Sequence, residues 1–291
     1  MTAAELRSKV RQLELRARKT MTVVTPGAYR SAFRGKGVEF DEIREYVPGD
    51  DARSIDWNVT ARLGRPHLKR FSEEREQSLL FLLDASRSMV FGSASHRKLD
   101  SLAEIFSVLA FAAASNIDEV GLILFTDKVE QYIPPAKGIV HVQRLIREVI
   151  AFEPRGNATN LAGALEFFLR VRRKRSFAFV LSDFLADRFQ PELRACAARH
   201  DLVALSIFDV REEILPDCGL VEIEDPESAS SDILDTGDPK VRGAFADAAR
   251  IRRENLSRDL RSIGVDHLRI EAGSNFIPQL AQFLRAHAKT A

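Results

Sequence analysis

From residue 79 onward, unbroken apolar runs alternate with helical patterns, and this alternation constrains the fold more than any other feature of the chain. LLFLLD, VGLILFT, FAFVLSD and LVALSIFDV lack the every-second polar residue of a strand with one wet face, so each must be covered on both sides. Between them, KLDSLAEIFSVLAFAAASN, HVQRLIREVIAF, NLAGALEFFLRVRRK and PELRACAARH read as helices. Strand, helix, strand in this order builds a parallel sheet with helices on both faces. VEQYIPPAKG reads as a short hairpin-like piece and GLVEIEDPESASSDILDT as an edge hairpin around a Ser-rich turn. A long helix KVRGAFADAARIRRENLSRDLRSIG, a last strand VDHLRIE and a closing helix NFIPQLAQFLRAH follow. The expected fold is therefore α/β, a doubly wound, mostly parallel sheet of about six strands, with its sites in the crevice beyond the strand C-terminal ends.

Residues 1–75 differ. SAFRGKGVEFDEIREYVPGDDARSIDWNVTARLGRPHLKRF is rich in glycine, charge and turn signals and has no long helical period. The sequence thus predicts an N-terminal helix with a charged arm or small β-element over 1–75, and the sheet domain over 76–291. With 45% apolar residues, 291 residues supply a substantial core. Lys plus Arg (43) nearly balance Asp plus Glu (42), so no general pull toward nucleic acid or anionic membrane is expected. The basic stretches RVRRKR and RIRREN lack interleaved aromatics and read as solvated helix faces. Two cysteines, Cys196 and Cys218, are too few for a disulfide framework or a four-ligand zinc site, and the six histidines lack ligand spacing. The N-terminus has no signal-peptide core, and no run approaches the roughly 18 apolar residues of a membrane span. A cytoplasmic protein is expected. The leucines at 6, 13 and 15 suit a docking helix, with peripheral membrane contact as the alternative.

One strand end carries the chemistry. In LLFLLDASRS, Asp84, Ser86 and Ser88 alternate, and in an extended segment alternate side chains point to one side. They form a metal cradle, a phosphoryl-transfer nucleophile or a capped turn. Thr159 just before the NLAGAL helix and Asp183 at the end of FAFVLSD stand at similar places and also offer oxygen. An all-oxygen set suits a hard divalent cation such as Mg²⁺ or Mn²⁺. Read individually, the serines and Thr159 are helix or turn caps and Asp183 a turn former.

The D-x-S-x-S pattern, the threonine of T-N-L-A-G-A-L and the later strand-end S-D resemble the von Willebrand factor type A domain over roughly residues 76–290. That resemblance implies its metal-ion-dependent adhesion site, with hydroxyls from Ser86, Ser88 and Thr159, and with Asp84 and Asp183 acting directly or through water.

The arm carries a second resemblance. In GKGVEFDEIREYVPGDDARSIDWNVTAR, Val47-Pro48-Gly49-Asp50 favours a tight turn presenting Asp50 and Asp51. Arg44, Arg53 and Arg62 lie near Glu45, Asp50, Asp51 and Asp56. They form either an ion-pair lattice tying the arm to the domain, with Trp57 as an anchor, or a recognition surface. Gly35 to Met89 closely resembles the signature of the bacterial family called domain of unknown function 58, as do Gly219–Pro226 and Asp238–Phe245. The resemblance implies an adaptor or substrate binder working beside a MoxR-type AAA+ ATPase in a chaperone-like or assembly system. The N-terminal membrane spans of some relatives are not expected here, and no G-x-x-x-x-G-K-[ST] loop makes this chain the ATPase.

Two classes of function compete. The first is a non-enzymatic, metal-dependent binding module whose cation takes a carboxylate from a protein partner. The second is a haloacid-dehalogenase-like phosphatase with Asp84 as nucleophile, which needs a second carboxylate where this chain has Ser86. A serine hydrolase would need a G-x-S-x-G elbow, which neither Ser86 nor Ser88 occupies.

Overall fold

The structure, a computed structural model, describes residues 8–16, 39–47, 50, 51, 53, 55–72, 78–93, 96–156, 158–186, 188–224 and 231–290. Two compact units emerge: Phe33–Gln77, and Ser78–Ala291 together with the N-terminal segment Met1–Ala32. Helix α1, residues 8–16, thus groups with the sheet, where the sequence had placed it with the arm. It buries Val10 and Leu13, leaves Leu15 exposed, and ties down through Lys9–Asp100 (2.8 Å), Arg16–Glu104 (2.5 Å) and Gln143–Glu14 (3.1 Å).

In the smaller unit, β1 (Glu39–Glu45) pairs antiparallel with β2 (His67–Ser72), with a register shift between Phe40 and Glu42. Between them lies α2 (Trp57–Leu63), a helix the sequence reading missed. It buries no side chain, so it leaves no apolar period in the sequence. Its ends define it instead. Asp56 caps the N-terminus by accepting from the amides of Asn58 and Val59, and Gly64 closes the C-terminus at φ 73°.

The larger unit is built on a six-stranded sheet in the order β10-β7-β6-β3-β4-β5. These strands are β3 (Ser78–Asp84), β4 (Glu119–Phe125), β5 (Val129–Ala136), β6 (Phe177–Ser182), β7 (Asp201–Phe208) and β10 (Asp266–Glu271). All neighbours run parallel except β5, which returns antiparallel along β4 as an edge. The helices are α3 (Lys98–Ser115), α4 (Ile139–Ala151), α5 (Leu161–Val171), α6 (Gln190–Ala197), α7 (Pro239–Ile263) and α8 (Ile277–Thr290). β8 (Leu220–Glu224) and β9 (Ser231–Asp235) pair with each other in a separate two-stranded sheet, so the expected hairpin is not an edge of the main sheet. The Ser-rich part of its turn lies outside the described residues.

Central position explains the unbroken apolar run of β3. Leu79 to Leu83 are fully buried because both faces are covered. Leu80 and Leu82 pack with Leu165 and Phe168 of α5, Leu193 of α6 and Leu260 of α7. On the opposite face, Phe81 meets Phe106 of α3 edge-on at 4.9 Å and stacks on Phe179 of β6 at 5.1 Å. Each such side chain contributes roughly 1.5–3 kcal/mol of burial. The chain runs from β3 outward to β4 and β5, then crosses back to β6 on the other side of β3. The switch point, where such sheets open a crevice, therefore lies beyond the C-terminal ends of β3 and β6.

Candidate metal centre at the end of the central strand

β3 ends in Asp84, fully buried, and the chain turns at once into a 3₁₀ segment, Arg87–Val90. Asp84 accepts the Ser86 amide on Oδ1 (3.0 Å) and the Ser182 hydroxyl on Oδ2 (2.6 Å). The oxygens of Ser86 and Ser88 stand 3.0 Å apart, and the Ser88 hydroxyl donates to Asp183 Oδ2 at 2.7 Å. Asp183 follows directly on β6, and its Oδ1 accepts the Leu185 amide at 3.1 Å. The structure therefore brings together Asp84, Ser86, Ser88 and Asp183 across the switch point.

Thr159 is not part of the hydrogen bonds just described. It is half-buried and sits two residues ahead of α5, whose N-cap is Asn160, accepting from the Gly163 amide. The capping role expected of Thr159 thus falls to its neighbour. The preceding loop is pinned to the end of β4 and the start of β5: Asn160 donates its amide to the Thr126 carbonyl, and Glu130 of β5 accepts the amides of Arg155 and Gly156. A Cβ on Gly156 would lie 1.8 Å from Asp127 Oδ1 and 2.3 Å from Thr126 Oγ1, so any larger residue would have to displace these side chains.

A cation that the sequence reading missed completes the cluster. Lys98, the first residue of α3, is fully buried and donates from Nζ to Asp183 Oδ2 (2.8 Å) and to Glu212 Oε1 (2.5 Å). Glu212 lies in the 3₁₀ segment Val210–Glu212 after β7, where its other oxygen accepts the Asp209 amide at 3.0 Å. Asp209 in turn holds the Ser93 amide (2.8 Å) and hydroxyl (2.5 Å). One signal in the sequence points to Lys98: a cation in the first turn opposes the helix dipole and needs an acid against it. Its partners are 85 and 114 residues away and leave no spacing to read.

The charges are unevenly matched. Burial, reinforced by the charge of Asp183, pushes the Asp84 carboxyl up to about 7. Burial alone would lower Lys98, but Asp183 and Glu212 outweigh it and raise the ammonium above its ordinary value. Burial raises Glu212 despite Lys98. Phe184, next to Asp183, adopts φ 56° with its ring buried, a conformation costing about 1–3 kcal/mol that recurs at functional sites. Beside it lies a cavity of about 300 Å³ lined in part by Asp183, Phe184, Phe208, Glu212, Arg253 and Arg269. Glu213 pairs with both of these arginines, and the Arg269 guanidinium lies over the Phe208 ring.

The donor set is compatible with a hard cation. All side-chain donors at the strand ends are oxygen, and Asp183 and Glu212 share a single ammonium while Asp84 is held by Ser86 and Ser182. Among the described residues, no three His, Cys, Asp or Glu gather as a metal-binding group, and the expected set contains only two carboxylates.

The model for the family described as protein of unknown function DUF58 matches residues 42–255. The chain belongs to this family. An uncharacterized protein of Mycobacterium tuberculosis is 30% identical over 290 residues, 99% of this chain and 91% of that protein. Among solved structures, BatB from Bacteroides thetaiotaomicron is similar over 73% of this chain and 99% of its own, at 14% identity and TM-score 0.49. The SpRpn10 VWA domain is similar over 75% of this chain and 96% of its own, at 13% identity and TM-score 0.34. As a DUF58 chain, the protein has the doubly wound, mostly parallel sheet that the type A resemblance implied. Among the described residues, no helix is long and apolar enough to cross a membrane.

The DUF58 signature arm looks different from its expectation. Trp57, expected as an anchor, is 70% exposed at the start of α2. Asp50 accepts the Val47 amide, Asp51 the Arg53 amide, and Asp56 caps α2. In these contacts Asp50, Asp51 and Asp56 bond backbone amides of the arm, and Glu45 pairs with Arg65 at 3.2 Å. Arg53 and Arg62 are exposed; Arg44 lies on β1. Pro48 and Gly49 of the expected turn lie outside the described residues, although the Asp50 amide does donate to the Val47 carbonyl at 3.1 Å.

Proposed function

We propose that this DUF58 chain is a non-enzymatic protein-binding module whose contact point is the strand-end cluster, charged with Mg²⁺ or Mn²⁺. The observation that carries the reading is the convergence of Asp84, Ser86, Ser88 and Asp183 at the switch point, with Asp183 and Glu212 sharing one buried lysine. Asp84, Ser86, Ser88, Asp183 and, from the neighbouring loop, Thr159 would hold the ion. A bound divalent ion supplies an open position that a carboxylate can fill. The partner group is an acidic side chain of a protein client, and the cavity beside Asp183 gives it room.

The working partner in this reading is a MoxR-type AAA+ ATPase, with the chain as adaptor or client binder in the cytoplasm, and with exposed Trp57, Arg53 and Arg62 of the arm as a second contact surface. The phosphatase alternative finds no support at the site: the residue two beyond Asp84 is Ser86, whose hydroxyl meets Ser88 rather than offering a proton-donating carboxyl. Recovery of the ATPase on the immobilised chain tests the reading. It should be strong in Mg²⁺ and lost in EDTA or in Asp84→Ala; equal recovery in all three would refute the metal bridge.

A further inference from the structure

The Lys98 ammonium occupies the oxygen that a metal at this site would need. Asp183 Oδ2 already accepts from both Lys98 and Ser88, at 2.8 and 2.7 Å, and the lysine has no exposed surface through which to withdraw. Its backbone is fixed as well, since α3 begins at Lys98 and its amide donates to the Phe91 carbonyl at 3.0 Å. Glu212, in contrast, is a standing second partner: the Asp209 amide holds one of its oxygens while the other faces Lys98. The ammonium therefore has two carboxylates to share, and one of them is positioned independently of the strand-end cluster.

We infer that Lys98 is an internal cation that competes with a divalent metal for Asp183, and that Glu212 sets the outcome by drawing the ammonium to itself. This rests on the metal reading above. With the metal absent, Lys98 bridges Asp183 and Glu212 and holds the β6 and β7 ends together. When a divalent ion binds Asp183, like-charge repulsion shifts the ammonium onto Glu212. Lys98 is thus a positioning residue that weakens metal affinity and links the ion to the segment Val210–Glu212. The consequence is a site that responds to changes in metal concentration, whereas an unopposed carboxylate pair would stay filled.

The test uses the full chain and Mn²⁺ alone, titrated calorimetrically, with folding of each variant checked by circular dichroism. Lys98→Met should bind Mn²⁺ at least about tenfold more tightly than wild type, because the competing charge is gone. Glu212→Gln should bind about threefold or more weakly, because the whole ammonium then rests on Asp183. Lys240→Met, which removes an exposed lysine from the start of α7, should leave affinity at the wild-type value. Binding by Lys98→Met without detectable binding by wild type would also support the competition. Wild-type binding that Lys98→Met leaves unchanged or weakens would overturn it while keeping the metal reading. Absence of Mn²⁺ binding in all variants would overturn both. If Lys98→Met does not fold, Glu212→Gln decides: weaker binding supports the competition, and equal or tighter binding refutes it.

Discussion

The strand-end cluster and the signature arm are both rich in carboxylates, yet they use them in opposite ways. At the ends of β3 and β6, Asp84 and Asp183 are buried and bound to the hydroxyls of Ser182 and Ser88 and the ammonium of Lys98. In the arm, Asp50, Asp51 and Asp56 are bonded to amides within three residues of themselves. Buried groups that meet across different strands hold a charge pattern that solvent does not screen, whereas local caps shape the chain. The contrast teaches that the buried cross-strand carboxylates lie at the less conspicuous D-x-S-x-S segment and its partner strand end, although the arm supplies the longer signature.

Substitutions should expose that difference. The largest effect is expected for Asp183→Ala, which strands Lys98 in the interior with Glu212 alone. Breaking a buried pair costs about 3–5 kcal/mol, seen as a lower urea midpoint. A loss under about 1 kcal/mol would mean the cluster is no more consequential than the arm.

Acid should also act on the sheet unit. Burial, aided by Arg269, lowers His267 from 6.5 to about 4, and its ring meets the Ser206 hydroxyl at 2.7 Å. As pH falls from 6.5 toward 4, the unfolded chain takes up a proton that the folded chain refuses. Stability then declines by up to about 1.4 kcal/mol per pH unit, and this component levels off below the folded value. Buried His200 shifts in the same direction, so the isolating measurement is the difference from His267→Gln, which should show a shallower acid slope.

In the arm, Asp56→Ala removes the cap of α2 and should cost about 1 kcal/mol, read by hydrogen exchange of the Asn58 and Val59 amides. Trp57→Ala should change stability by less than about 0.5 kcal/mol, because the side chain is 70% exposed. A larger loss would restore the anchoring role that its exposure argues against.

What the sequence revealed follows from the same physics. β3, β4, β6 and β7 were legible because burial on both faces leaves unbroken apolar runs, and Asp84, Ser86 and Ser88 because they are close in sequence. α2 left no trace, since a helix that buries nothing shows no periodicity. Lys98 and Glu212 escaped because their meeting depends on how α3 and the β7 end are placed by the sheet, across more than a hundred residues. The hairpin Leu220–Asp235 was found as two strands but assigned to the wrong sheet, because pairing partners are not encoded in local alternation.

Calorimetric titration of Mn²⁺ into wild type and Asp84→Asn tests the central claim most directly. Asp84→Asn keeps the size of a side chain whose charge burial disfavours, so without metal it should unfold at the same temperature as wild type or higher. The account predicts saturable one-site heat for wild type and none for the folded variant. Equal heats from the two proteins, or none from wild type, would contradict it.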